Sequence, residues 1–223
     1  MTTGFYAFAG IKQPMGIQER KAREKRARQK LILHAAQEVF LSKGFEQTTI
    51  EDIADKAELS KGALYLYFKS KEDLYVAVFL HGLEHLYQQI DALRDDFGTI
   101  DTDILLKNLL NTYYNFFRQS PEFIYTTSQV YHGRIREKVD PSIWEATIKM
   151  AKACLEVLAD IINQGIHDGI FRDVDCWKTA SAFWAALTGV MMVIEDEDPQ
   201  FVKIPQKELL DYTFELFMQT LRT

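Results

Sequence analysis

Residues 35–78 read AAQEVFLSKGFEQTTIEDIADKAELSKGALYLYFKSKEDLYVAV, and this stretch decides the fold. Thr49 is a natural N-cap for a short helix from Ile50 to Ala57, with Asp52 at the N3 position of a capping box. Glu58 and Leu59 turn the chain, and Ser60 caps a second short helix, Lys61 to Phe68. Ser70 caps a longer one that runs to about Asp96, with Glu72 and Asp73 placed to favour its N-terminal dipole. Upstream, a helix from about Glu19 to Lys43 carries Ile32, Ala36, Val39 and Phe40 as its apolar stripe, and Gly44 ends it.

Two short helices joined by a tight turn behind a longer supporting helix form a helix-turn-helix pattern. A single helix fits the major groove of B-DNA, and its N-terminal residues can reach base edges. In the second short helix Leu64 and Phe68 share one face, which predicts burial against the first. Lys61 and Tyr65 share another face that can meet DNA, and Gly62 and Ala63 let the start of the helix, capped by Ser60, approach closely. Tyr67 and Lys71 flank the insertion, while Thr49 offers a hydroxyl and a helix N-terminus to phosphate. Charge points the same way. Residues 1–72 hold 13 Lys and Arg against 9 Asp and Glu, whereas residues 73–223 hold 13 against 23, so a basic head precedes an acidic body within a chain of net charge −6. The densest basic run is Arg20 to Lys30.

The stretch resembles the N-terminal domain of the tetracycline-repressor (TetR) family of bacterial transcriptional regulators. The features that carry the likeness are AA…VF…KGF, TTIEDIA and SKGALYLYFKSKEDL, in fixed order over some 45 residues. Leu66 departs from the aromatic residue usual there; one phosphate or thymine-methyl contact is put in question, not the fold. The resemblance implies a larger C-terminal helical domain that binds a ligand and dimerises through its last two helices. It also implies a homodimer that binds double-stranded operator DNA and responds to a small molecule, most often as a repressor.

The rest of the chain agrees. With 223 residues, 11 glycines, 5 prolines and helical spacing throughout, it reads as all-α: a flexible lead at 1–18, a three-helix DNA-binding domain at 19–70 and a helical body at 71–223. One body helix opens at Asp101 or Thr102 with Leu106, Leu109, Leu110, Tyr113 and Phe117 on one face. Ser120-Pro121 and Asp140-Pro141 each place a cap before proline, and the helix after Pro141 repeats Trp144, Ile148, Ala151, Leu155, Leu158 and Ile162. Gly169-Ile170-Phe171-Arg172 resembles the family's turn ahead of its dimerising helix. That helix, about 175–195, has a small-residue stripe of Ala182, Ala185, Ala186 and Gly189 and a second stripe of Ala180, Phe183, Leu187, Val190 and Ile194. The last helix, about 206–221, carries Leu210, Phe214, Phe217 and Leu221, and with its neighbour is expected to form the dimer face.

Aromatic residues make up 13% of the chain and cluster in the middle helices, which suits a pocket for a hydrophobic or flat ligand. The candidate lining is His81, His85, Tyr113, Phe117, Tyr125, Gln129, Trp144 and Trp184, with Ser128 and His132 as further polar handles. His81 and His85 are four residues apart and one ion can bridge them, but no third ligand stands at defined spacing, and Glu84 is expected to point elsewhere. No catalytic constellation is found and no cofactor or metal is expected; Cys154 and Cys176 read as separate buried thiols. With no signal peptide and no run near the roughly 18 apolar residues of a membrane span, the reading is cytoplasmic, without a membrane partner. Two alternatives stay open: a regulator controlled by a protein partner, and a helical enzyme or lipid carrier with a merely structural head.

Overall fold

The computed structural model describes residues 16–120, 123, 126–127, 130, 134–192 and 204–222. Its helices are α1 (Ile17–Gln47), α2 (Ile50–Lys56), α3 (Lys61–Tyr65), α4 (Lys71–Asp91), α5 (Thr102–Gln119), α6 (Pro141–His167), α7 (Cys176–Met192) and α8 (Gln206–Leu221). No strand occurs among the described residues; a lone bridge joins Phe171 to Arg222. The caps account for the starts. Thr49 Oγ1 accepts the Asp52 N–H, Ser60 Oγ that of Ala63 and Ser70 Oγ that of Asp73. Gly44 breaks α1 at φ 73°, and Glu58 makes the tight turn in the left-handed region at φ 54°.

Several boundaries shift from the sequence expectation. α1 opens at Ile17 rather than Glu19, and α3 closes at Tyr65, because the Tyr67 and Phe68 N–H groups both turn back to the Leu64 carbonyl. α4 closes at Asp91 and passes into a 3₁₀ turn at Ala92–Asp96. On α6 the buried face is Thr147, Cys154, Val157, Leu158, Ile161, Ile162 and Gly165, while Ile148 is exposed. α6 packs along α4 as well as α5 and α7, so its buried surface is wider than one stripe and turned from the one read from spacing. Cys154 is buried, its thiol pushed up to about 12 by desolvation, but Cys176 is only half-buried, at the exposed start of α7. Residues 121–122, 124–125, 128–129, 131–133 and 193–203, including Pro121 and Ile194, lie outside the described residues.

α4 is the spine. Its start lies against the end of α1, where the Lys71 ammonium donates to the Phe45 and Glu46 carbonyls at 2.7 and 3.2 Å and sits over the Phe45 ring. Phe40, Phe45 and Tyr75 pack as a ring cluster at the same junction. Further along, α4 packs into the body against α5 and α6. The core is continuous from Ile32 and Ile53 in the first helices to Leu210 and Phe214 in α8.

The turn after α6 is built on two glycines, Gly165 and Gly169. Gly169 takes φ 72°, the Ile170 and Phe171 N–H groups bond to the Gly165 carbonyl, and the Phe171 ring lies where a Gly165 side chain would be. Gly165→Ala therefore forces a methyl against a buried ring. Overpacking costs about 1–3 kcal/mol, and the better helix propensity of alanine recovers up to about 1 kcal/mol. With the full recovery up to about 2 kcal/mol of cost remains, so the expected result is a melting temperature lower by up to roughly 8 °C, read by circular dichroism.

Candidate nucleic-acid interface and effector cavity

The candidate DNA-facing surface is assembled from the first turns of α2 and α3. Ile50, Ile53, Ala54, Leu64 and Phe68 are buried, so the two helices share an apolar floor and present their opposite sides outward. On that outer side lie Glu51, Lys61, Gly62, Tyr65 and Leu66, all exposed. A Cβ on Gly62 would meet nothing within 4 Å, so the start of α3 is open to a close approach. Thr49 and Ser60 are exposed too, yet their hydroxyls are engaged by their caps; the Thr49 hydroxyl also donates to Asp52 Oδ2 at 2.9 Å. What these caps leave open is the helix ends themselves. Asp52 is held at about 2 by the Lys43 ammonium and by Thr49, which fixes the capping box at any ordinary pH.

Two placements differ from the expectation. Lys71 is half-buried, its ammonium spent on the end of α1, and Tyr67 is half-buried against the core. Both side chains brace the reading unit as much as they flank it. Lys61 lies outward but is not free. It forms an ion pair with Glu51 across the α2–α3 step, and its ammonium is 6.0 Å from the centre of the Tyr65 ring. The partnership lowers the Glu51 carboxyl below its ordinary range and raises Lys61 above its own. Sequence reasoning missed Glu51. A residue ten positions away cannot be paired with Lys61 by helical periodicity, and only the turn at Glu58 brings them together. Leu66, at 81% exposure, is the most open large apolar side chain among the described residues.

In the body, Tyr113, Phe117 and Trp184 do converge. With Phe79, Leu83, Leu86, Phe123, Thr127 and Thr188 they line a cavity of about 20 Å³, room for about one water molecule. The Tyr113 hydroxyl and Thr188 Oγ1 are 2.9 Å apart, and the Tyr113 ring meets Trp184 edge-on. Phe123 forms the outer wall of this cavity, stacked on Phe79, and also the inner wall of a second pocket of about 240 Å³ that His81, Gly82, His85 and Phe116 line. His81 and His85 thus stand outside the aromatic cavity. Glu84 does not point away from them: its carboxylate lies 3.5 Å from His81 Nδ1. Residues i and i+3 share one side of a helix, so Glu84 stands beside His81. No group of three or more ligand-type side chains suited to a metal occurs among the described residues. Trp144 is apart from both pockets, under the Arg136 guanidinium near the start of α6. Tyr125, Ser128, Gln129 and His132 lie outside the described residues.

The basic run is a solvated stretch: every residue from Ile17 to Arg28 is exposed, and Arg20 pairs with Glu24 at 3.4 Å. Arg26 and Lys30 line a groove with Glu84 and Gln88 of α4, well along that helix from the reading unit. No described helix is long and apolar enough to cross a membrane.

Comparison with known proteins agrees with this geometry. The sequence profile of bacterial regulatory proteins of the tetR family matches residues 32–78. Beyond that domain, the chain is 32% identical over 162 residues to the HTH-type transcriptional repressor NicS of Pseudomonas putida, covering 70% of this chain and 71% of NicS. The chain belongs to the TetR family. It is also 30% identical over 161 residues to the HTH-type transcriptional activator FasR of Mycolicibacterium smegmatis, across 70% of this chain and 68% of FasR. The fold matches that of the transcriptional regulator FadR from Bacillus subtilis, solved with stearoyl-CoA, at TM-score 0.65 and 20% identity over 85% of this chain and 97% of that one. As a TetR-family transcriptional regulator, the chain has its helix-turn-helix in α2 and α3 and its helical body beyond them.

Proposed function

We propose that this TetR-family chain is a homodimeric repressor that reads operator DNA through α3 and is released by a small hydrophobic or aromatic effector held in the body. The carrying observation is a pair of unfinished surfaces: the open first turn of α3 at one end of α4, and an uncovered face on α7 and α8, of which α7 packs on the body through α6. On the latter, Ala182, Ala185, Ala186, Gly189 and Leu216 are exposed, as is Tyr212 at 61%. The opposite face of α7, with Ala180, Phe183, Leu187 and Val190, is buried in its own chain. Small side chains allow two copies of this helix pair to approach closely, and a two-fold axis makes the same patch serve both. NicS, named a repressor, supports the sign; FasR, named an activator, is why the test includes transcription itself.

The effector would act by population shift. Half-sites on one DNA face are about 34–36 Å apart, so a body state that changes the spacing of the two α3 helices loses contacts at both. The Tyr113–Trp184–Phe117 cavity holds only about 20 Å³, so a ligand larger than water must displace Phe123 or a neighbouring ring to enter. That makes ligand binding and a change beside α4 the same event.

The test compares the native chain with Ala186→Glu. Native protein should sediment at twice 25.8 kDa, retard DNA from upstream of its own gene with steep salt dependence, and reduce transcription from that DNA. Ala186→Glu would bury an unpaired charge against its own copy. It should sediment as a monomer and bind the paired site at least tenfold more weakly, in proportion to the contacts of one α3 instead of two. No retardation by native protein at low salt would end the reading.

A further inference from the structure

The reading unit carries the wrong charge for a surface that only grips phosphates. Residues 49–65 hold Glu51, Asp52, Asp55 and Glu58 against Lys56 and Lys61, a net of −2, whereas the seven cations of residues 20–30 face only Glu24. Two of these charges are engaged by the scaffold: Asp52 by its cap and Lys43, and Lys56 by Glu38 of α1 at 2.5 Å. The exposed ion pair of Glu51 with Lys61 is different. It spans the step between the helices on the outer side, beside Tyr65 and the open Gly62. A positive and a negative group are held side by side where base edges would pass.

We propose that Glu51 and Lys61 act together as a reader of one G·C base pair in each half-site, with Glu51 as the specificity-determining member; this rests on the DNA-binding reading of α3. In the major groove a G·C pair presents two adjacent acceptors, guanine N7 and O6, and then one donor, the cytosine N4 amino group. An ammonium matches the two acceptors and a carboxylate beside it matches the donor. An A·T pair presents acceptor, donor, acceptor, so a carboxylate in the same place would meet the thymine O4 lone pairs. On random sequence the carboxylate also keeps the ammonium: phosphate must compete with Glu51 for Lys61 while being repelled by Glu51 itself. The pair therefore lowers non-specific affinity and raises discrimination together. Lys61 alone would raise both kinds of binding.

The experiment uses the full-length protein in native form and as Glu51→Gln and Lys61→Gln, with selection from a random duplex library followed by titration of random-sequence DNA across a salt series. Both side chains are exposed, and matched melting curves verify folding. Native protein should enrich a symmetric site. Glu51→Gln and Lys61→Gln should each relax preference at the same G·C pair, by roughly tenfold per half-site. Glu51→Gln should in addition bind random duplex several-fold more tightly, with a salt slope steeper by about one per subunit, since it frees one cation for phosphate. A Glu51→Gln variant that keeps every native base preference, or variants that relax different base pairs, would overturn the proposal. Native protein that enriches no sequence would instead overturn the DNA reading beneath it.

Discussion

Lys61→Ala should weaken operator binding roughly tenfold or more while leaving folding and dimerisation intact. Lys61 is on the outer side of α3, and its ion pair with Glu51 is exposed, so the pair contributes little to stability. Its loss at the interface is counted twice, once per subunit of the proposed dimer. The structure adds a second component that charge counting omits. Removing Lys61 leaves the Glu51 carboxylate uncompensated next to DNA, so the alanine variant suffers both a lost attraction and an unmasked repulsion. A Glu51→Gln/Lys61→Ala double variant should therefore recover part of the affinity. Tyr65→Phe removes one hydroxyl and should cost less. Fluorescence anisotropy at two salt concentrations reads all of these, and if Lys61 meets phosphate alone the salt slope falls by about one per subunit. Unchanged affinity for both single variants would mean that a different face of α3 meets DNA.

Asp73→Ala should be the most destabilising polar substitution at the junction of head and body. Asp73 is 3% exposed at the start of α4. Its Oδ1 accepts the Asp140 N–H at 2.8 Å and its Oδ2 the Lys69 N–H at 3.3 Å, so it ties the end of the reading unit to the start of α6. A parallel tie runs from the Lys69 ammonium to Asp140 Oδ2 at 3.0 Å. Alanine leaves two main-chain donors without their charged acceptor, a loss of about 2–3 kcal/mol, or roughly 4–12 °C in melting temperature. Asn keeps one acceptor oxygen and should cost about half as much. The Asp140 carboxyl gives the joint a pH signature. Bonds from Ser142 and then Lys69 hold it at about 2, below the ordinary carboxylate range. Its contribution is therefore complete above about pH 4 and is lost as the pH falls toward 2. Native protein and Asp140→Asn should differ in stability at neutral pH and converge across that acid window.

Local signals made much of this molecule legible. Thr49, Ser60 and Ser70 announced three helix starts because a cap needs only its own next three residues. The buried stripes of α1 and α5 follow from a 3.6-residue period on helices packed on one side. Where a helix is enclosed on several sides, the period loses its meaning. α6 buries Thr147 and Gly165 and exposes Ile148, since α4, α5 and α7 jointly decide its inward direction.

The outer side of α3 was likewise readable from Leu64 and Phe68, but the state of its charges was not. Glu51 meets Lys61, Lys71 turns to the end of α1, and Asp73 meets Asp140, over separations of 10, 26 and 67 residues. The cavity repeats the pattern: aromatic content pointed to Tyr113, Phe117 and Trp184, while Phe79 and Thr188 joined them and Trp144 did not. The sequence by itself determined the helices, their caps, the helix-turn-helix and its outward face, because each rests on contacts within a few residues. Tertiary structure alone decided which charges are free, which aromatic rings meet and how the head is fastened to the body. Those depend on chain segments that only folding brings within a few ångströms of one another.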